Sequence, residues 1–217
     1  MPGVILYMDA FGIRPALLDM AARLAATGYN VLLPDLYYRL EPTAPFEPAT
    51  AFKDPAEMAR LGPRFKSLTS ALVMEDTAAY LEYLGSQTTV LAQKTGCVGY
   101  CMGGRFALAA AGTFPERIAT AASFHGARLA TDDPDSPHLL APRMRARVYI
   151  GIAGIDDHFP PEERQRLESA LESAHVSHTV EVYEGARHGF AVNDTPAYDK
   201  AASEKHWQRL GELFGGM

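Results

Sequence analysis

Short apolar runs alternate with stretches of helical spacing along nearly the whole chain. Runs at 4–9 and 29–33 are closed by Phe11-Gly12 and Pro34-Asp35, and further runs lie at 96–100, Ile118–Phe124, 148–153 and 179–183. Bounded apolar runs of this length suit parallel strands buried on both faces. Between the first two, Leu17, Met20, Ala21 and Leu24 recur at helical spacing, with Pro15 in the expected first turn and Gly28 at the expected C-terminal cap. Helical patterns also cover 68–84, 102–111, 162–174 and 198–214. Strands that alternate with helices predict a mainly parallel sheet covered on both faces, because right-handed crossovers lay each helix over the sheet. The 217 residues fit one such domain spanning 1–217.

One stretch breaks the alternation. From Pro34 to about Ser67 the chain carries Pro42, Pro45, Pro48, Pro55 and Pro63, which predicts a long surface excursion with one short helix. Excursions of this length often border sites.

Composition narrows the function. A formal net charge of -6 without any Lys/Arg-rich run offers no field for phosphates, so a nucleic-acid partner is not expected. No apolar stretch is long enough to cross a bilayer, and Met1-Pro2-Gly3-Val4 lacks the basic flank of a secretory signal, so the expected location is cytoplasmic, without membrane association. The two cysteines, Cys97 and Cys101, are too close along one strand-to-turn segment to close an unstrained disulfide and are expected reduced. The seven histidines show no His-Glu-x-x-His or paired Cys/His spacing. Neither a metal nor an organic cofactor is therefore expected.

In sheets of this kind the chemistry gathers at the carboxyl ends of the strands. Gly99-Tyr100-Cys101-Met102-Gly103-Gly104 follows an apolar strand and opens a small-residue helix, the context of a tight turn that presents a nucleophile. Glycines at 99 and 103 let strand and helix approach closely. A thiol at a helix N-terminus meets the positive end of the backbone dipole, which favours thiolate. Asp157, in Gly154-Ile155-Asp156-Asp157-His158-Phe159, and His188, in Gly185-Ala186-Arg187-His188-Gly189-Phe190, each follow a predicted strand. The order nucleophile, acid, histidine is that of α/β-hydrolases. Asp156 competes with Asp157 for the acid; the G-x-x-D spacing favours Asp157 and leaves Asp156 as a capping or loop residue. His125 ends another strand and is read as packed or hydrogen-bonded rather than reacting.

On these residues, together with Pro34-Asp35-Leu36-Tyr37, Asp157-His158-Phe159 and His188-Gly189-Phe190, the chain resembles the dienelactone hydrolase family over nearly its whole length. The resemblance implies the α/β-hydrolase fold and a Cys101-His188-Asp157 triad. It also implies an oxyanion hole from the N–H groups of Ala10 and Met102, and hydrolysis of a small ester or lactone through a thioester. In the family, the loop holding Met8-Asp9-Ala10-Phe11-Gly12 carries a glutamate that contacts the nucleophile's thiol; Asp9 stands there in this chain. Val192 occupies the place of an arginine that helps hold the dienelactone carboxylate. The resemblance also implies two strands ahead of Val4, so the sheet is expected to lack its first strands. Phe11, Arg14, Tyr37, Tyr38, Phe159 and Arg187 fall near the same predicted edge and are candidates for the pocket wall. The expected partner is a small ester or lactone, and the chain is expected as a monomer or homodimer. A silent binding protein or a thiol-redox protein on this scaffold is the alternative.

Overall fold

The computed structural model describes residues 1–89 and 91–217, and side-chain surroundings outside 91–94. Its strands are β1 (Pro2–Tyr7), β2 (Asn30–Leu32), β3 (Leu91–Tyr100), β4 (Ile118–Phe124), β5 (Arg147–Ile155) and β6 (His178–Arg187). Its α-helices are α1 (Pro15–Ala25), α2 (Pro55–Ser67), α3 (Ser70–Ser86), α4 (Met102–Thr113), α5 (Pro161–Ser173) and α6 (Lys200–Phe214), and a 3₁₀ segment spans Pro137–Arg143. The strands pair in the order β2-β1-β3-β4-β5-β6, every pair parallel.

That order decides where the site can be. Successive crossovers run one way from β1 to β2 and the other way from β2 onward, so right-handed connections place α1 on one face and α3, α4 and α5 on the other. The Arg23–Glu204 ion pair and the Arg23 guanidinium over Trp207 join α6 to α1. The direction of winding reverses between β1 and β3, and a crevice opens beyond the carboxyl ends of strands at such a reversal. Asp9 and Cys101 lie just past those two strand ends.

Burial follows the apolar pattern. Val4, Ile5 and Leu6 of β1, Cys97 and Val98 of β3, and Ala121 and Ala122 of β4 are fully buried. Leu17, Met20 and Leu24 of α1 and Leu167 and Leu171 of α5 face the sheet. α4, made largely of glycine and alanine, sinks almost entirely into the core.

The Pro-rich excursion contains more helix than expected. α2 runs for 13 residues and continues through Pro63. Pro55 opens it, and the Asp54 carboxylate caps the free N–H groups of Ala56 and Glu57 at 2.7 and 3.3 Å. Leu61 anchors it in a small second core with Phe46 and Ala51, against which Phe11 and Phe65 pack. That tertiary burial outweighs the internal proline.

Candidate active site

Cys101 sits between β3 and α4 with φ 53° and ψ -118°, a strained left-handed conformation for a residue with a side chain. Three backbone bonds hold it: its N–H donates to Phe124 O (3.1 Å), and its carbonyl accepts from Gly104 (3.0 Å) and Ala127 (3.4 Å). A Cβ on Gly99 would stand 2.0 Å from Gly103 O, and one on Gly103 would stand 2.4 Å from Tyr7 O. No rearrangement of a side chain relieves either clash, so the crossing of β3, β1 and α4 requires both glycines.

His188 reaches this turn from the end of β6. Its Nδ1 lies 2.8 Å from Asp156 Oδ2, and the Asp156 side chain is 2% exposed. The expectation that Asp157 would be this partner is corrected: Asp157 is exposed. Strand register supplies the reason. A bulge after Ala153 makes Ile155 and Arg187 the last paired residues of β5 and β6. Asp156 and His188, each one position further, therefore leave the sheet side by side. The other Asp156 oxygen accepts the His158 N–H at 2.9 Å, so the capping role and the histidine contact fall on one residue.

Burial disfavours charge on His188, yet the Cys101 sulfur and the Asp156 carboxylate together overcome that penalty and raise its pKa to about 10. The imidazole thus stands between a sulfur and a carboxylate that both favour its charged form. This side chain is still 20% exposed, toward a cavity of about 560 Å³ that Cys101, His125 and Met102 also line.

His125 borders the same cavity, packed edge-on to the His188 ring at 5.2 Å and against Phe190 at 5.2 Å. It is packed, as expected, but both ring nitrogens are buried without a hydrogen-bond partner. Burial first, and then the neighbouring His188 and His206, push its pKa well down, so it stays neutral.

Asp9 also reaches the cavity but does not contact the thiol as expected. Its oxygens accept from Arg14 Nη1 and Nη2 at 2.7 and 2.9 Å, and one also accepts the Phe11 N–H at 3.0 Å. Arg14 in turn binds Asp194 through Nε and Nη2 at 2.6 and 2.9 Å. Arg14, expected at the pocket wall, is instead 4% exposed and consumed by two carboxylates. This clamp ties the loop after β1 to the segment after His188.

The remaining candidates divide. Phe11 lines the Cys101 cavity, whereas Tyr37 and Tyr38 line a neighbouring one of about 340 Å³ that Phe11 also borders. The Tyr37 hydroxyl donates to Ala10 O at 2.9 Å, fixing the peptide of that loop, and Tyr38 turns outward to Asp76. Phe159 is buried in the core and Arg187 is exposed; neither borders the cavity. Ala10 is fully buried beside this edge, and Met102 is the first residue of α4, where backbone N–H groups have no partner within the helix. Residues that the sequence did not single out, Phe52, Phe65, Leu68, Arg105 and Phe106, complete much of the wall. The spacing of Arg105 four residues after Cys101 was an available signal for one of them. Among the described residues no cluster of His, Cys, Asp and Glu is arranged to hold a metal ion, and no helix is long and apolar enough to cross a membrane.

The sequence model of the dienelactone hydrolase family matches residues 1–217. The chain belongs to that family. Similar family proteins include a carboxymethylenebutenolidase of Rhodococcus opacus, 30% identical over 97% of this chain and 79% of the relative. A dienelactone hydrolase from Anabaena variabilis shares the fold with TM-score 0.69 at 21% identity, covering 99% of this chain and 86% of the other. A dienelactone hydrolase-like promiscuous phosphotriesterase from metagenomic libraries shares it with TM-score 0.79 at 23% identity, over 100% and 86%. The fold is that of the α/β-hydrolases, and membership in the dienelactone hydrolase family makes the chain a hydrolase of carboxylic esters, among which lactones are the cyclic members.

Proposed function

We propose that Cys101 is the nucleophile, His188 the acid and base, and Asp156 the group that orients His188, in a hydrolase of small esters or lactones. The observation that carries this reading is the placement of His188, bonded through Nδ1 to Asp156 Oδ2 at 2.8 Å and lining the same cavity as Cys101. A protonated imidazole beside a thiol is the counter-ion a thiolate needs, and a thiolate attacks carbonyl carbon without a further proton transfer.

In the first step the sulfur attacks the ester carbonyl, and negative charge moves onto the carbonyl oxygen. The N–H groups of Ala10 and Met102 face that charge, a donor of this kind contributing about 3 kcal/mol in comparable sites. As the tetrahedral intermediate collapses, the C–O bond breaks and the leaving oxygen takes the proton from His188. A thioester remains. Water then attacks it and gives a proton to His188, the C–S bond breaks, and the acid departs while thiolate and imidazolium are restored. In a lactone, leaving oxygen and acid stay on one molecule. Cys97 lies fully buried in β3, bonded toward Ala107 O, which removes the resolving thiol that a redox role would need.

Turnover of 4-nitrophenyl acetate with mass-spectrometric trapping at low pH tests the reading. Wild type is expected to carry an acetyl adduct on the peptide containing Cys101, and Cys101→Ala to lose turnover by at least about a thousandfold. Retained turnover in Cys101→Ala would falsify the assignment.

A further inference from the structure

The wall of the Cys101 cavity gathers cationic side chains. The chain as a whole is acidic at -6, yet Lys53, Arg105 and Arg128 all border this one cavity. Among the described residues the carboxylate that reaches it, Asp9, is bonded to Arg14, which it shares with Asp194. Lys53 and Arg128 are exposed at its rim, and Arg128 pairs with Asp133. Arg105 is different: its side chain is 14% exposed. Its Nη2 donates to Ser70 Oγ at 3.0 Å and to Asp135 Oδ2 at 3.3 Å, the latter a half-exposed and therefore weak partner. Its Nε is buried with no partner at all.

A buried, unsatisfied donor on a cation destabilises the free protein until an acceptor arrives. Desolvation accordingly lowers the Arg105 pKa, and the Asp135 and Asp133 carboxylates do not offset it. Arg105 also stands one helical turn, about 5.4 Å, beyond the start of α4 where Cys101 sits. An acceptor bound there belongs to the same molecule whose carbonyl meets the sulfur. Lining the same cavity, Phe11, Phe52 and Phe65 form an aromatic wall with centroid separations of 5.3 and 6.2 Å, and Phe52 is half exposed. The volume, about 560 Å³, falls in the roughly 300–1,000 Å³ range that encloses ligands far larger than a five-membered lactone.

We propose that Arg105 is a specificity-determining residue: it binds an anionic group at the far end of an extended ester whose aromatic or bulky apolar body lies along Phe11, Phe52 and Phe65. This inference rests on the hydrolase reading above and adds to it the substrate class. The guanidinium forms a charge-assisted pair with the anion through the uncommitted donors, and the scissile carbonyl is carried back to Cys101 by a spacer about one aromatic ring long.

A matched pair of substrates tests it: the 4-nitrophenyl ester of 4-carboxyphenylacetic acid and its neutral 4-carbamoyl counterpart. Wild type is expected to favour the carboxylate by about tenfold in kcat/KM, mainly through KM, with the preference shrinking as salt is raised. Arg105→Met is expected to bring the ratio to about one, and Arg105→Lys to restore part of it. Equal kcat/KM for the two esters in wild type overturns the inference while leaving the hydrolase reading intact, and so does a preference that survives in Arg105→Met. Turnover of neither ester, nor of 4-nitrophenyl acetate, sinks the hydrolase reading and this inference with it. The wild-type ratio and its salt dependence need no variant, so a failure of Arg105→Met to fold leaves the test standing.

Discussion

The raised pKa of His188 links the proposed reacting pair to the stability of the fold. The ring titrates near 6.5 when unfolded and near 10 when folded, with burial opposing the shift and Cys101 and Asp156 driving it. A raised folded value means that the stabilisation is fully present below about pH 6.5 and is lost as pH climbs to about 10. The melting temperature of wild type is therefore expected to fall between pH 7 and 10 more steeply than that of His188→Asn, and parallel curves would contradict the shift. The two neighbouring aspartates part company in the same way. Asp156→Asn removes the carboxylate that orients the ring and is expected to lower kcat by about a thousand- to ten-thousandfold. Asp157→Asn, on an exposed side chain, is expected to change kcat by less than about twofold. Steady-state rates on one ester separate the outcomes. Sequence spacing favoured Asp157 because a bulge leaves no mark in the residue pattern: Gly154-Ile155-Asp156-Asp157 reads the same whether the strand ends at Ala153 or Ile155.

Elements set the geometry that these side chains exploit. Gly99→Ala drives a Cβ into Gly103 O at the crossing of β3 and α4 and is expected to destabilise by about 3 kcal/mol, the upper end for overpacking. Urea unfolding measures it. The strand-to-helix turn was legible because both glycines, the apolar strand before them and the small residues after them all declare themselves locally. So were the six strands, whose cores match the apolar runs although β3, β5 and β6 extend further into polar residues. The length of α2 was hidden because Pro63 argues against a helix interior, and the burial of Leu61 that outweighs it comes from distant Phe46 and Ala51. The Arg14 clamp was invisible for the same reason, since Asp194 lies 180 residues away along the chain. Arg14→Met leaves Asp9 buried and unpaired and is expected to cost about 3–5 kcal/mol in the same unfolding assay. Adding Asp9→Asn is expected to recover part of that loss, an outcome absent if the clamp carries little energy.

Across the molecule the two thiols are sorted by depth. Cys97 is fully covered, and burial pushes its thiol far up from the ordinary range, whereas Cys101 opens to the cavity. A chromogenic disulfide reagent is expected to titrate one thiol per native chain and two after denaturation; two fast-reacting native thiols would contradict this burial.

Arg14 holds the loop after β1 and the segment after His188 as one piece, while Phe52 and Phe65, which roof the cavity, belong to a separate stretch with its own small core. The wall of the cavity is thereby assembled from two sources, the roofing stretch and the elements that carry Cys101 and His188. Grafting a foreign roof in place of residues 40–67 would exchange Phe52 and Phe65 while leaving Arg105, Cys101 and His188 on their own elements.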